Sequence, residues 1–495
     1  MPSPTMNSGV PETAMDELYT LRRHLADAPI HDKQDKALQL ISMVAAADLT
    51  KLDGRSHDDA AHELSETLRL CVNAVSTDAL LKQAQLDLVA LLTKAPSSIR
   101  QTVIDQAVTI SVVRLLPGEH TSSTACIRLL TALVAVPNQA KALFAIKTVA
   151  DEVVTQSKSD KTNVRFCVYD LMVELCATSD QALDECERLG LVTNLVTELS
   201  HNDDVLCQLN ALESLANLCA KSRKAVDRLH ANGILPQIYD MLEKTMENVD
   251  SGGFLFPGIV RFFGYLAAAH PAECFATYPR FVHCVFSLCL RYDDLDVAQR
   301  LLSFDTLCVI GRSVDGKLEL AKHDSKMRPV MAKFASALRS SPIELRERHL
   351  QALADLFHLP LNDQTTALLE CTSRWFVWLD PDRGAFGSTL FNYYKQPIVQ
   401  IRLAAGAVFK QLATQPWAQQ MMAPLQGFMV FVLDRDTERD HLCRQLKFDL
   451  ICTLLDSPTA EQHFSAHLWH QMGRYRAQGV HFVEAQHEVA IEGAD

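Results

Sequence analysis

The chain contains few helix-breaking residues and no long apolar run. It has 18 glycines and 19 prolines in 495 residues, and most of them fall between helical patterns. No apolar run approaches the roughly 20 residues that a helix needs to cross a bilayer. The start, MPSPTMNSGVPET, has no basic segment followed by an apolar one, so we expect a disordered tail over residues 1–13 instead of a secretory signal.

Basic charge is also in deficit. The sequence has 47 basic and 60 acidic residues and a net charge of −13. This balance argues against nucleic acid as the main partner, because phosphate binding needs a basic surface. A basic protein surface is a better expectation, and we predict no membrane partner.

The 14 cysteines are scattered, and none form Cys-x-x-Cys. Most fall on apolar helical stripes, where a free thiol behaves as a small core residue. The cytosol or the nucleus, both reducing, is therefore the expected compartment. Examples are Cys167, Cys176, Cys207, Cys219 and Cys308.

Motifs for catalysis are missing as well. There is no Gly-x-Ser-x-Gly elbow, and Ser251-Gly252-Gly253 is not followed by Gly-Lys-Ser/Thr. His463, His467 and His470 have a spacing that one helical face could use for zinc, but the segment HFSAH lacks the glutamate of a zinc protease. We interpret them as a surface or packed cluster and predict no enzyme activity, cofactor or metal.

What the chain does have is a repeated helical rhythm. In Gly190–Cys219 two apolar stripes with spacings of three and four are separated by the polar turn His201–Asp204, which predicts two amphipathic helices. Similar helices start near Leu80, Thr124, Val164 and Val205, about 40 residues apart, a period typical of armadillo and HEAT units. No such unit can bury its apolar face alone, so we predict stacked units.

The predicted fold is therefore all-α, a curved armadillo/HEAT-like solenoid. It is expected to cover residues 14–472 as one domain, less regular at 245–257 and 361–395, with a weakly ordered tail at 473–495. The pattern around Val205 also resembles an armadillo repeat, in which Asn217 takes the place of a groove asparagine.

An aromatic cluster with one arginine stands out between Phe254 and Tyr265. Arginine and aromatic side chains are favoured at binding hot spots, whereas aromatics between stacked units are core. We interpret Phe256 and Phe263 as core and leave Arg261 and Tyr265 open to either role. Trp375 and Trp378 are interpreted as packing residues.

Four unusual segments carry a resemblance to a known family: FLFPGIVRFFGYLA from Phe254, VRFCVYDLMVEL from Val164, TYPRFVHCVFSL from Thr277 and ATQPWAQQMM from Ala413. They resemble the 26S proteasome non-ATPase regulatory subunit 5 family, whose end is also similar to AIEGAD here. The resemblance implies a non-catalytic chaperone that binds the C-terminal domain of an AAA ATPase subunit, meets other base subunits in assembly intermediates and is absent from the mature proteasome. We expect the chain to be a monomer when free.

Polar or amphipathic positions on the repeated helices are the candidate protein-binding residues. They are Arg165, Tyr169, Asn210, Asn217, Arg261, Tyr265 and Arg402. Two alternatives stay open: a general armadillo-type adaptor, and a regulatory subunit of another ATPase. A peptide-binding adaptor should carry a ladder of tryptophan and asparagine, and only Asn217 clearly fits that ladder.

Overall fold

The computed structural model describes residues 106–118, 120–134, 139–200, 204–247, 253–380, 385–480 and 482. These residues form 24 α-helices and three short 3-10 turns, with no strand. The helices are α1 Gln106–Leu115, α2 His120–Val134, α3 Gln139–Ala145, α4 Lys147–Ser157, α5 Thr162–Cys176, α6 Asp180–Arg188, α7 Leu191–Glu198, α8 Val205–Lys221, α9 Arg223–Ala231, α10 Ile234–Glu247, α11 Leu255–Ala269, α12 Pro271–Thr277, α13 Pro279–Leu290, α14 Val297–Ile310, α15 Val314–Ala321, α16 Asp324–Ser340, α17 Ile343–Leu356, α18 Thr366–Trp378, α19 Phe386–Tyr394, α20 Val399–Leu412, α21 Pro416–Met422, α22 Phe428–Leu433, α23 His441–Asp456 and α24 Ala466–Gln478.

The repeating unit has three helices, of which the third is the longest in the example α6–α7–α8. The local sequence sets its boundaries. The Ser179 hydroxyl accepts from the Ala182 amide at the start of α6, and the Asp204 carboxylate accepts from the Cys207 amide at the start of α8. Between α6 and α7 the chain turns at Gly190 with φ 77°, a left-handed conformation that glycine adopts without strain.

The described residues fall into two compact units, the first ending at Gln237 and the second beginning at Ile238, within α10. In the first unit, helices at corresponding positions pack on one another. The third helices α2, α5 and α8 contact in that order, as do α1, α4 and α7, and α3, α6 and α9. Their leucines and small residues, such as Leu171, Leu212 and Ala211, are almost wholly buried between them.

The second unit repeats this arrangement. Its third helices α11, α14, α17, α20 and α23 contact in chain order, and α12, α15, α18 and α21 form a row of first helices. The core here is aromatic: Phe304 stacks on Phe334 with ring centroids 4.1 Å apart. His349 lies edge-on to both rings, and its Nε2 is 2.8 Å from the Tyr292 hydroxyl oxygen.

The prediction of an all-α helical repeat is confirmed. The helix starts predicted near Val164 and Val205 agree with α5, which begins at Thr162, and with α8, which begins at Val205. The curvature, the single domain over 14–472 and the two tails stay predictions; the last described helix, α24, ends at Gln478. The tail at 1–13 and the repeat starting at Leu80 lie outside the described residues.

The region predicted to be less regular, 361–395, contains a 3-10 turn, Leu361–Asp363, and the helices α18 and α19. Trp375 on α18 is fully buried, as its packing role requires. Trp378 is partly exposed and lies under the Arg374 guanidinium, 5.7 Å from the ring centroid. Among the described helices, none is long and apolar enough to cross a membrane.

Candidate functional site

Arg165 lies at the start of α5 and forms a closed set of internal contacts. Its Nε donates to Oε1 of Glu198 at 2.6 Å and its Nη2 to Oε2 at 2.9 Å, a bidentate ion pair. Oε1 also accepts from the Tyr169 hydroxyl at 2.9 Å, and Oε2 from the Cys207 thiol at 2.9 Å. Glu198 is the last residue of α7. The ion pair therefore connects the third helix of one three-helix repeat to the second helix of the next repeat.

The electrostatics agree with an ionised carboxylate among donors. Burial by itself raises the pKa of Glu198, but hydrogen bonds from Arg165, Cys207 and Tyr169 outweigh it, so this pKa lies below its ordinary value. Burial, followed by the bond to Glu198, raises the pKa of Cys207 to about 11. The Cys207 thiol is therefore protonated at neutral pH and donates a hydrogen bond, and it is not a reactive thiolate.

The second unit contains a copy of this ion pair. Arg402, near the start of α20, donates from Nε to Oε2 of Glu438 at 2.9 Å and from Nη2 to Oε1 at 3.0 Å. Glu438 precedes the next third helix, as Glu198 does. The Arg402 side chain is 14% exposed and the Glu438 side chain 3%, so the pair is buried.

Arg165 and Arg402 occupy the same position in their helices. Arginine is the fourth residue of five third helices, and in each case its guanidinium donates to backbone carbonyls just before that helix. Arg300 donates to the carbonyl of Asp293 at 2.8 Å, and Arg346 to that of Ser341 at 2.7 Å. These carbonyls close the preceding segment and have no helical partner of their own. The five residues are Arg165, Arg300, Arg346, Arg402 and Arg444.

Three of the predicted binding residues therefore have internal partners. Tyr169 is fully buried, and Arg165 and Arg402 hold both a carboxylate and backbone carbonyls. The sequence predicts them as binding residues because they are polar or amphipathic positions on the repeated helices. The helical spacing places them at the edge of the core, where each polar group has its hydrogen-bond partner. Their role in binding a partner stays a prediction.

The other four predicted residues have exposed side chains. Asn210 and Asn217 are seven residues apart on α8, so they share a helical face, and both are exposed. Arg261 and Tyr265 are four residues apart on α11 and also share a face; Tyr265 is 43% exposed. Asn210 and Asn217 lie in the first compact unit, and Arg261 and Tyr265 lie in the second. In each pair the two residues share one face of their helix.

Around Arg261 the neighbouring third helices contribute charged residues that the sequence interpretation missed. Asp305 on α14 forms an ion pair with Arg348 on α17, with 3.5 Å between Oδ2 and Nη2. Burial raises the pKa of Asp305, and the nearby guanidiniums of Arg348 and Arg261 oppose that rise. A second pair, Arg312 with Asp355, joins the end of α14 to α17 with 3.3 Å between nitrogen and oxygen.

We call this surface the α11–α17 face and define it by Arg261, Tyr265, Asp305 and Arg348. It is formed by the open sides of three adjacent helices, α11, α14 and α17. A charged residue near the middle of each third helix was a signal in the sequence. It could not be used without knowing which helices are neighbours.

The described residues offer little to a metal. No group of three or more histidine, cysteine, aspartate or glutamate residues in this part of the chain could hold a metal ion. His467 and His470 lie on α24, whereas His463 lies in the 3-10 turn Glu461–His463 that precedes it. The three residues therefore do not share one helical face, contrary to the spacing argument.

Known proteins similar to this chain identify its family. A sequence model of the family described as "Proteasome non-ATPase 26S subunit" matches residues 5–495. The chain belongs to this family. This match confirms the family resemblance of the four sequence segments, and it supports a proteasome-related role for the chain.

Two proteins similar to this chain are named "26S proteasome non-ATPase regulatory subunit 5". The Homo sapiens protein is 32% identical over 339 residues, which are 68% of this chain and 65% of that protein. The Bos taurus protein is 27% identical over 502 residues, or 98% of this chain and 97% of that one. A designed armadillo repeat protein in complex with the peptide (KR)4 has 12% identity and a TM-score of 0.32, covering 50% of this chain and 99% of its own. The repeat fold rests on the helices described above, since so low a score carries no weight.

Proposed function

We propose that this chain is a non-catalytic chaperone for assembly of the 26S proteasome regulatory-particle base. In this proposal it binds the C-terminal domain of an AAA ATPase subunit and is absent from the mature proteasome. Family membership over nearly the whole chain supports the proteasome-related part. The observation that carries the binding part is the exposed pair Arg261 and Tyr265 beside the Asp305–Arg348 ion pair.

The α11–α17 face suits binding to a folded domain. Stacked third helices present side chains over a long surface, and many modest contacts over a large area can hold a folded partner. Tyrosine and arginine are among the residue types enriched at hot spots, and each combines a large contact area with hydrogen-bonding groups. Tyr265 projects from the helix as a partly exposed ring, and Arg261 lies one turn before it.

The same face suggests how the client is released. A bound ATPase domain would have part of its surface covered by the chaperone, and a later partner that needs that surface would compete for it. Such competition requires no energy input and no catalytic residue. The proposal also includes other base subunits as contacts in assembly intermediates, a monomeric free state, and the cytosol or nucleus as the compartment.

The test is a binding screen with purified full-length chain and each isolated proteasomal ATPase C-terminal domain, followed by size exclusion. We expect co-elution with one or two domains. The double variant R261E/Y265A should weaken that binding by about tenfold or more, as hot-spot substitutions do. The control R474E changes an exposed arginine on α24, away from the α11–α17 face, and should bind as the unmodified chain does.

The outcomes separate the two parts of the proposal. If no ATPase domain co-elutes, the chaperone function is wrong. If a domain co-elutes and R261E/Y265A binds it as tightly as R474E does, the function stands and the α11–α17 face is not the binding site. Circular dichroism of each variant checks that the helices are intact.

A general armadillo-type adaptor is the second candidate. It is favoured by Asn210 and Asn217, because two exposed amides on one face of α8 can hydrogen-bond the backbone of an extended peptide. N210A/N217A should then abolish peptide capture and leave ATPase-domain binding unchanged. This result would place the adaptor site on the first unit.

A further inference from the structure

A basic surface lies on the second unit, on helices that the α11–α17 face does not use. Helices α13 and α16 pack against each other. Together they contain five basic residues, Arg280, Lys326, Arg328, Lys333 and Arg339, and one acidic residue, Asp324, so their net charge is five minus one, or +4. Arg280 is paired with Glu243 on α10, with 3.1 Å between Nε and Oε1, so the basic residues that remain all lie on α16. The whole chain has a net charge of −13, so this pair of helices departs strongly from the rest.

The basic residues of α16 form two rows. Lys326 and Lys333 are seven residues apart, and Arg328 and Arg339 are eleven apart, so each pair lies on one side of the helix. The exposed ridge between the rows has short side chains, namely Ser325, Pro329, Ser336 and Ser340. From Lys326 to Arg339 the helix rises by about 20 Å, which is the length of a partner helix of about 13 residues.

The two rows differ in their internal partners. Lys333 pairs with Asp293 at 2.8 Å, and the Lys326 ammonium lies 5.4 Å from the centre of the Phe286 ring, so the lysine row lies on the side of α13. Arg328 and Arg339 are exposed, and within the described residues neither guanidinium forms an ion pair with a carboxylate. Within the described part of the chain, the guanidiniums of the arginine row therefore have hydrogen-bonding capacity left for another molecule.

We propose that the exposed face of α16 is a docking surface for an acidic polypeptide segment of a partner protein. Its arginines bind carboxylates in bidentate fashion, its lysines add less directional charge, and the ridge of short side chains lets the segment's backbone approach closely. This surface is independent of the proposed ATPase-domain site, and its partner is recognised by charge and length.

An acidic protein fits better than a nucleic acid. A nucleic acid carries charge along its whole length and would meet the rest of an acidic chain as well as this helix. A short acidic segment needs only the surface that α16 offers. Pairs at an exposed surface contribute little each and are weakened by salt, so the interaction should depend on several residues together and on ionic strength.

The experiment uses the full chain and a fluorescein-labelled 13-residue peptide of alternating glutamate and alanine, measured by fluorescence anisotropy at low and moderate salt. We expect saturable binding that weakens with salt. R328E/R339E should lower the affinity by about tenfold or more, because attraction at two positions becomes repulsion. R439E/R474E reverses two other exposed arginines of the second unit with the same change in net charge, and it should shift the affinity by less than about twofold.

Every other outcome overturns the proposal. An equal effect of the two double variants would mean that the peptide responds to net charge and not to α16. Stronger binding of a single-stranded thymidine oligonucleotide of the same length, lost in R328E/R339E, would assign the surface to nucleic acid. R328Q/R339Q, which removes charge without reversing it, guards against a folding defect and should give an intermediate affinity.

Discussion

Breaking the buried pair between Arg165 and Glu198 tests whether these contacts stabilise the stack of repeats. The change is R165M, which keeps an unbranched apolar side chain in place of the arginine stem and removes the guanidinium. Glu198 would then be a buried carboxylate, 4% exposed, that keeps the Tyr169 hydroxyl and the Cys207 thiol as donors but has lost the guanidinium. Removing one partner of a buried pair costs about 3–5 kcal/mol, because the remaining charge stays desolvated.

The assay is urea unfolding followed by far-ultraviolet circular dichroism, with hydrogen exchange to locate the loss. We expect lower protection in α5 and α7, the helices that the pair connects. The matched control is R223M, which removes an exposed pair with Asp227 whose side chains are 54% and 60% exposed. An exposed pair of this kind contributes about 0–1 kcal/mol.

The pH dependence gives a second observation from the same variant. The folded-state pKa of Glu198 is lower than its unfolded value, so its contribution to stability is present above the unfolded pKa and is lost as the pH falls through the folded pKa. In R165M the guanidinium no longer opposes the effect of burial, so the pKa of Glu198 should rise above its ordinary value. The deficit of R165M should therefore be smaller at pH 5 than at pH 7. A deficit equal to that of R223M, or one that does not change with pH, would refute the reasoning.

Three other residues give predictions of defined sign. Burial lowers the pKa of His349 to about 4, so the unfolded state binds more protons as the pH falls below about 6.5; the chain should lose about 2 kcal/mol at pH 5, a loss that urea unfolding of H349Q should not show. A Cβ on Gly316 would lie 1.8 Å from the Ile310 carbonyl oxygen, so G316A should lower the melting temperature by several degrees. On α24 a Cβ on Gly473 meets nothing within 4 Å, and G473A should stabilise the chain by about 0.5–1 kcal/mol; a fall in its melting temperature would contradict the packing argument.

The long helices could be predicted from apolar spacing because each buries one stripe against its neighbours. The short first helices could not. Helices such as α12, Pro271–Thr277, and α21, Pro416–Met422, have seven residues and complete barely two turns, so their apolar period cannot be distinguished from that of a turn. Their prolines at the first helical position are the one local signal, and it marks a start without a length.

The candidate site was predictable in part for a similar reason. Spacing on one helix brought Arg261 and Tyr265 to the same face, and the structure leaves both exposed. Spacing alone could not distinguish them from Arg165 and Arg402. A polar residue at the edge of an apolar stripe can point toward solvent or toward the next three-helix repeat. That choice depends on a carboxylate more than 30 residues away, Glu198 in one case and Glu438 in the other.

The arginine at the fourth position of the third helices has a consequence for how such a chain can change over time. Backbone carbonyls are supplied by any residue type, so each arginine keeps its acceptors when the side chains around it are replaced. The connection between the second and third helices also varies in length, from two residues before α17 to seven before α23, and in both cases the arginine reaches a backbone carbonyl. Repeats built in this way should tolerate wide drift in composition and also changes in the length of that connection.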